Sequence, residues 1–192
     1  MVVSALIISG GLGFIVWRDL LEYHQKKKMT IHSKIALTVT GTLLLGGFVV
    51  FFFTERNGAT LVEGNMFQRL ANTFFMSVTP RTAGYYSVDY LHMSHAGLIL
   101  TMFLMYIGGT SGSTAGGLKT TTLGVLLIQM RSMLKGRTRA EAFGRTIRQG
   151  AVLRALTLFF VTLTLCVVAI MILSVTETIP KTSGIEYIAF EV

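Results

Sequence analysis

The residues best suited to chemistry in this chain are small, polar and uncharged. Gly108-Gly109-Thr110-Ser111-Gly112-Ser113-Thr114-Ala115-Gly116-Gly117 holds no charge and no large side chain, and Leu118, Lys119 and Thr120-Thr121-Thr122 follow it. Such a run offers free backbone carbonyls, mobile glycine backbone and four hydroxyls, which is a chemistry of ion contact and hydrogen-bond exchange. From Ala96 to Met130 the one charged residue is Lys119. As a single helix that stretch would be about 52 Å long, against a hydrocarbon core of about 30 Å. The glycines near its middle break it, and irregular backbone at membrane depth is tolerated where protein buries it or where it lines a water-filled path.

A second segment carries the same chemistry. Asn65–Ser77 is amphipathic and too short to span a bilayer, and it leads directly into Val78-Thr-Pro-Arg-Thr-Ala-Gly-Tyr-Tyr86. Pro80 stops a helix, and Gly84 allows unusual dihedrals. A re-entrant half-helix would carry the loop back toward the membrane centre, where the carbonyls of Thr82, Ala83 and Gly84 can replace an ion's hydration shell. The bland alternative is an external turn with an ordinary proline and glycine.

These loops need a membrane scaffold, and the composition supplies one. Of 192 residues, 52% are hydrophobic and 14% charged. Ile35–Thr54 and Ala155–Thr176 carry no charge and are each long enough to cross a bilayer. Val2–Trp17 is shorter and equally uncharged; with no basic leader or small-residue cleavage site it reads as the tail of a transmembrane helix rather than a signal peptide. Gly10-Gly11-Leu12-Gly13 within it suits close helix contact. The net charge of +8 reads as membrane topology, not nucleic-acid binding. Lys26, Lys27, Lys28 and Lys34 cluster beside one span, and Arg131, Lys135, Arg137, Arg139, Arg145, Arg148 and Arg154 beside others, which puts both loops in the cytoplasm. Cys166 is the sole cysteine and lies inside a span, so no disulfide forms within the chain.

The expected order is an all-α integral membrane chain. Residues 1–25 end one pore unit, 26–34 form a cytoplasmic loop, and 35–134 form a complete unit of span, half-helix, filter loop and broken span. In that unit the second span runs from near Tyr90 to Tyr106 and resumes from Leu118 to Leu134. A cytoplasmic loop at 135–154 and the first span and truncated half-helix of a next unit at 155–192 complete it, an internal repeat with one whole copy.

Thr79-Pro-Arg-Thr-Ala-Gly-Tyr85 after an amphipathic half-helix, then Tyr106-Ile-Gly-Gly-Thr-Ser-Gly-Ser-Thr-Ala-Gly-Gly-Leu-Lys-Thr-Thr-Thr122, resembles the third pore unit of the Ktr/Trk/HKT potassium transporters. The closest likeness is to the membrane subunit of bacterial Ktr systems. The resemblance implies four such units around one pore, each giving a filter glycine, with Gly84 in the third position beside Thr82 and Ala83. It implies that Gly108–Gly117 is an intramembrane gate beneath the filter, in which Thr110, Ser111, Ser113 and Thr114 bond alternative arrangements while Lys119 repels or tethers. It further implies potassium uptake across the cytoplasmic membrane by a multi-pass protein that is not an enzyme and needs no cofactor. Its implied partners are a cytosolic nucleotide-binding regulatory subunit and a second copy of the full-length subunit, with no nucleic acid.

Rival readings stand beside these. Arg81 either supports the filter loop or reaches external water. Asn72 and Thr73 read as scaffold hydrogen bonders, and His92 with His95 as a solvated interface rather than a metal pair. The glycine run is not a phosphate loop, because Leu118 separates Gly117 from Lys119 and no strand precedes it. One complete unit cannot enclose a pore alone, so a non-conducting membrane scaffold and a homotetramer of single pore units remain alternatives.

Overall fold

The computed structural model describes residues 2–55, 65–81, 84–85, 93–137 and 139–176. Along them run α1 (Val2–Lys26), α2 (Ile31–Thr54), α3 (Met66–Val78), α4 (His95–Tyr106) and α5 (Thr120–Leu134), then the short antiparallel pair β1 (Glu141–Ala142) and β2 (Arg145–Thr146), then α6 (Gln149–Thr176). Helices α1, α2 and α6 are long and apolar enough to cross a membrane.

Helix α2 is the centre of the bundle and packs against α1, α3, α4 and α5. Toward its C-terminal end Phe51 joins Met76, Met93, Leu98 and Leu104 in one apolar cluster, and toward its N-terminal end Ala36 joins Leu12 and Val16 in another. Helix α3 lies so close to α2 that Ser77 Oγ donates to Leu44 O at 2.7 Å. Helix α6 leans on α5, with only Val152 and Ala155 buried. Tyr106 ties the end of α4 to it, its hydroxyl 2.8 Å from Thr162 Oγ1 and its ring edge-on to Phe159. Much of the rest of α6, from Leu158 to Val175, presents exposed apolar side chains, the surface expected of a helix that meets lipid or other apolar protein.

Two helix starts are fixed by the same device. The side chain of Asp19, near the end of α1, accepts from the N–H of Thr30 at 3.2 Å, from its hydroxyl, and from Ser33 Oγ at 2.6 Å. Glu55, at the end of α2, accepts from the N–H of Ser94 at 3.2 Å and from its hydroxyl. Thr30 and Ser94 are the N-caps of α2 and α4. A buried acid thus holds the cap residue, which satisfies orphan N–H groups of the next helix.

The element bounds differ from the hydropathy expectation in a consistent way. Helix α2 begins at Ile31, ahead of Ile35, and α6 at Gln149, ahead of Ala155. Both helices extend into their polar flanks, because Lys34 and Arg154 are good helix residues that end an uncharged run without ending a helix. Helix α4 starts at His95 with Ser94 as its cap, and Tyr90, the expected start of that span, lies outside the described residues. The hairpin inside the basic loop was not expected; its turn is Phe143-Gly144, both with positive φ, the geometry of a two-residue hairpin.

Candidate functional site

The glycine run breaks the helix between α4 and α5 and closes into a loop. Ile107 and Leu118 pair in parallel at its neck, with Gly108 N–H to Leu118 O at 2.9 Å and Leu118 N–H to Tyr106 O at 3.0 Å. Thr120 N–H adds a bond to Gly109 O at 3.0 Å. The neck tolerates no side chain at Gly108, where a Cβ would lie 1.6 Å from Gly116 O. Within the loop Ser113 donates to Thr110 O from N–H and from Oγ, and Ser111 Oγ lies 2.9 Å from Thr121 Oγ1. Lys119 Nζ donates to Ala115 O, four residues earlier in the same loop.

The loop hangs on a break in α1. Gly13 has φ 65 and ψ 158, which interrupts the helical ladder there. Three carbonyls around that break accept from groups outside it: Ser9 O from Trp17 Nε1 at 2.8 Å, Gly11 O from Thr110 N–H at 2.9 Å, and Leu12 O from the Thr110 hydroxyl. Thr110 is wholly buried. A Cβ on Gly13 would lie 2.7 Å from both Gly112 C and Ser113 N. The glycine patch of α1 was expected to make close helix contact. Gly13 instead breaks the helix and faces loop backbone, and Gly10 and Gly11 have open space where a Cβ would be.

The second segment follows α3. Thr79 Oγ1 donates to Tyr85 O and closes the Thr79–Tyr85 loop at its base. Gly84 is exposed with φ 69, and no atom lies within 4 Å of a Cβ built there, so the constraint at this position is backbone conformation rather than space. Thr82 and Ala83 lie outside the described residues, as do His92 and the expected start of a next half-helix. Arg81 is 8% exposed. It does not reach external water: Nη2 is 3.5 Å from Thr40 Oγ1, and Nε has no partner among the described residues. Arg81, Gly109 and Gly11 line one small cavity with Ile7, Ile8, Leu44 and Val78, so the loop after α3, the glycine loop and the broken helix meet there. Thr73 bonds Arg69 O within its own helix, a scaffold contact.

Sequence reasoning missed Trp17, Leu12, Asp19 and Glu55. Gly13 four residues before a tryptophan is a signal for the first: an indole N–H is a donor able to reach a carbonyl freed by a glycine break. The two acids at the ends of uncharged spans could have been found as partners for the Thr30 and Ser94 caps.

Helices long and apolar enough to cross a membrane pack around a polar, hydrogen-bonded break at the glycine run. Over residues 1–192 the chain matches the family described as TrkH, cation transport protein, and belongs to it. It is 83% identical over 192 residues to the potassium/sodium uptake protein NtpJ of Enterococcus hirae, covering 100% of this chain and 43% of that one. It is 34% identical over 183 residues to the Ktr system potassium uptake protein B of Bacillus subtilis, covering 94% and 41%. The crystal structure of the potassium transporter TrkH from Vibrio parahaemolyticus shares its fold, with a TM-score of 0.67 at 18% identity over 91% of this chain and 38% of that one. The chain thus spans about two fifths of the length of these relatives.

Proposed function

We propose that this chain supplies one filter segment and the intramembrane gate of a potassium uptake protein of the cytoplasmic membrane. The carbonyls of Thr82, Ala83 and Gly84 would take the place of the ion's water, and the loop from Gly108 to Gly117 would open and close the path beneath them. The observation that carries this reading is the hydrogen-bonded suspension of the glycine loop from the Gly13 break through Thr110. It supports a gate because it joins two glycine-rich segments by a few exchangeable bonds rather than by interlocked side chains.

The negative end of the α3 dipole, beside the Thr79–Tyr85 loop, favours a cation there. The basic segments 26–34 and 135–154 face the cytoplasm on this reading. There a nucleotide-binding regulatory subunit would engage them, and the subunit would pair with a second copy. Relatives named for potassium, and one for potassium and sodium, favour a monovalent alkali cation as cargo.

The test is potassium and sodium uptake in cells that lack their own potassium transport. Gly84→Ser strains a backbone held at φ 69 by about 1–2 kcal/mol while meeting no neighbour. Protein level should therefore stay near that of the parent while potassium uptake falls at least tenfold. Uptake indifferent to the substitution would remove Gly84 from the filter.

A further inference from the structure

We propose that an anionic phospholipid of the inner leaflet occupies the groove between α2 and α5, its phosphate on Arg131 and Lys135 and one acyl chain between the helices. The two helices touch at Gly124, where a Cβ would lie 2.4 Å from Ile35 Cγ2, and beside that contact they part into a cavity of about 430 Å³. Its walls are graded. Val39, Leu43, Leu123 and Leu127 line the part toward the middle of the helices, and Arg131 and Lys135 line the end toward the basic loop.

The length fits one leaflet. Leu123 to Lys135 is twelve steps of helix, about 18 Å. Half of a bilayer's hydrocarbon core is about 15 Å. A chain lying along the apolar wall therefore brings its headgroup level with the two cations. The charge fits as well. Both cations are exposed, and among the described residues neither makes an ion pair. The third cation, Arg137, is engaged with Glu141 at 2.7 Å, which leaves Arg131 and Lys135 for the ligand. Basic pockets between helices on the cytoplasmic side are suited to phosphate headgroups.

The hairpin completes the mouth. Phe143 holds φ 51, a conformation that a bulky side chain avoids, and lines the cavity, with Lys34 Nζ 5.5 Å from its ring centre. The turn sets an aromatic ring and a further cation at the level where a headgroup meets acyl chain, the amphipathic depth that aromatic rings favour. The inference rests on the cytoplasmic placement of the basic loop and is independent of the filter and gate.

The experiment is lipid binding to the protein purified from membranes, read by native mass spectrometry after release from vesicles of phosphatidylglycerol and phosphatidylcholine. Retained phosphatidylglycerol is expected in preference to phosphatidylcholine. Arg131→Gln with Lys135→Gln should weaken it about 25-fold, roughly fivefold for each cation. Leu127→Trp keeps both cations but fills the apolar wall, and should also displace the lipid, which keeps the proposal testable if the double variant does not fold. Equal retention of the two lipids, or undiminished phosphatidylglycerol in either variant, would overturn it. So would protection of the protein against heat by inorganic phosphate alone to the same degree as by the lipid, since the acyl chain would then contribute nothing.

Discussion

Thr110 donates its N–H to the carbonyl of Gly11 across 2.9 Å and its hydroxyl to the carbonyl of Leu12. One residue of the loop thus satisfies two successive acceptors immediately before the Gly13 break. A buried carbonyl left without a partner costs about 1–3 kcal/mol. The break in α1 and the observed position of the loop therefore stabilise each other, and a loop that moved away would leave these carbonyls without their partners.

Thr110→Val tests that coupling, because it keeps the shape and the N–H bond and removes only the hydroxyl. The closed loop should lose about 1–3 kcal/mol. Amide exchange at residues 108–117 should quicken, and potassium uptake by the complete protein should rise. Slower uptake with unchanged exchange would mean that Thr110 serves the open path instead.

Gly108→Ala is a steric test of the neck. A methyl group at this position would sit 1.6 Å from Gly116 O, and the atoms it would meet are backbone. The Ile107–Leu118 pairing should open at a cost of roughly 3 kcal/mol or more, in the range of severe overpacking. A lower thermal midpoint in detergent and faster thiol labelling of a cysteine placed at Ser113 would show it. Wild-type values for both would mean that the loop closes by another route.

Lys119→Met keeps the aliphatic stem and removes the ammonium that Ala115 O accepts from. Lys119 is half-buried, so the loss should be smaller than for Thr110, about 1 kcal/mol. Uptake should rise modestly, and Lys119→Arg should restore part of the parental rate. A charge-repelling role would instead show as a change in salt dependence that Arg fully restores.

Ser94→Ala probes the cap of α4. It removes the N-cap hydroxyl of α4 and one donor to the buried Glu55 carboxyl. Stability should fall by about 2 kcal/mol, while Ser94→Thr should stay within about 0.5 kcal/mol of the parent. Thermal unfolding in detergent distinguishes the two; equal loss in both variants would assign the effect to packing around Gly97 rather than to the hydroxyl.

Much of the scaffold is legible from residue order. Uncharged runs at Val2–Trp17, Ile35–Thr54 and Ala155–Thr176 set the three long helices, since a bilayer demands length and apolarity and little else. The short amphipathic α3 and the break at Gly108–Gly117 are likewise visible, because a glycine run cannot continue a helix. The ends of helices are less legible: lysine and arginine close an apolar run on paper and continue a helix in space, as at Lys34 and Arg154.

The sequence by itself determined the class of element, the long apolar helices and the place where the glycine run breaks a helix, because these follow from local composition. Only the tertiary structure decided that Gly13 breaks α1, that Thr110 fills the break, that Arg81 turns inward and that Asp19 and Glu55 hold the caps of the following helices. Each of those depends on a partner distant along the chain: hydrogen-bond acceptors are freed by one segment and satisfied by another, and no window of neighbouring residues contains both.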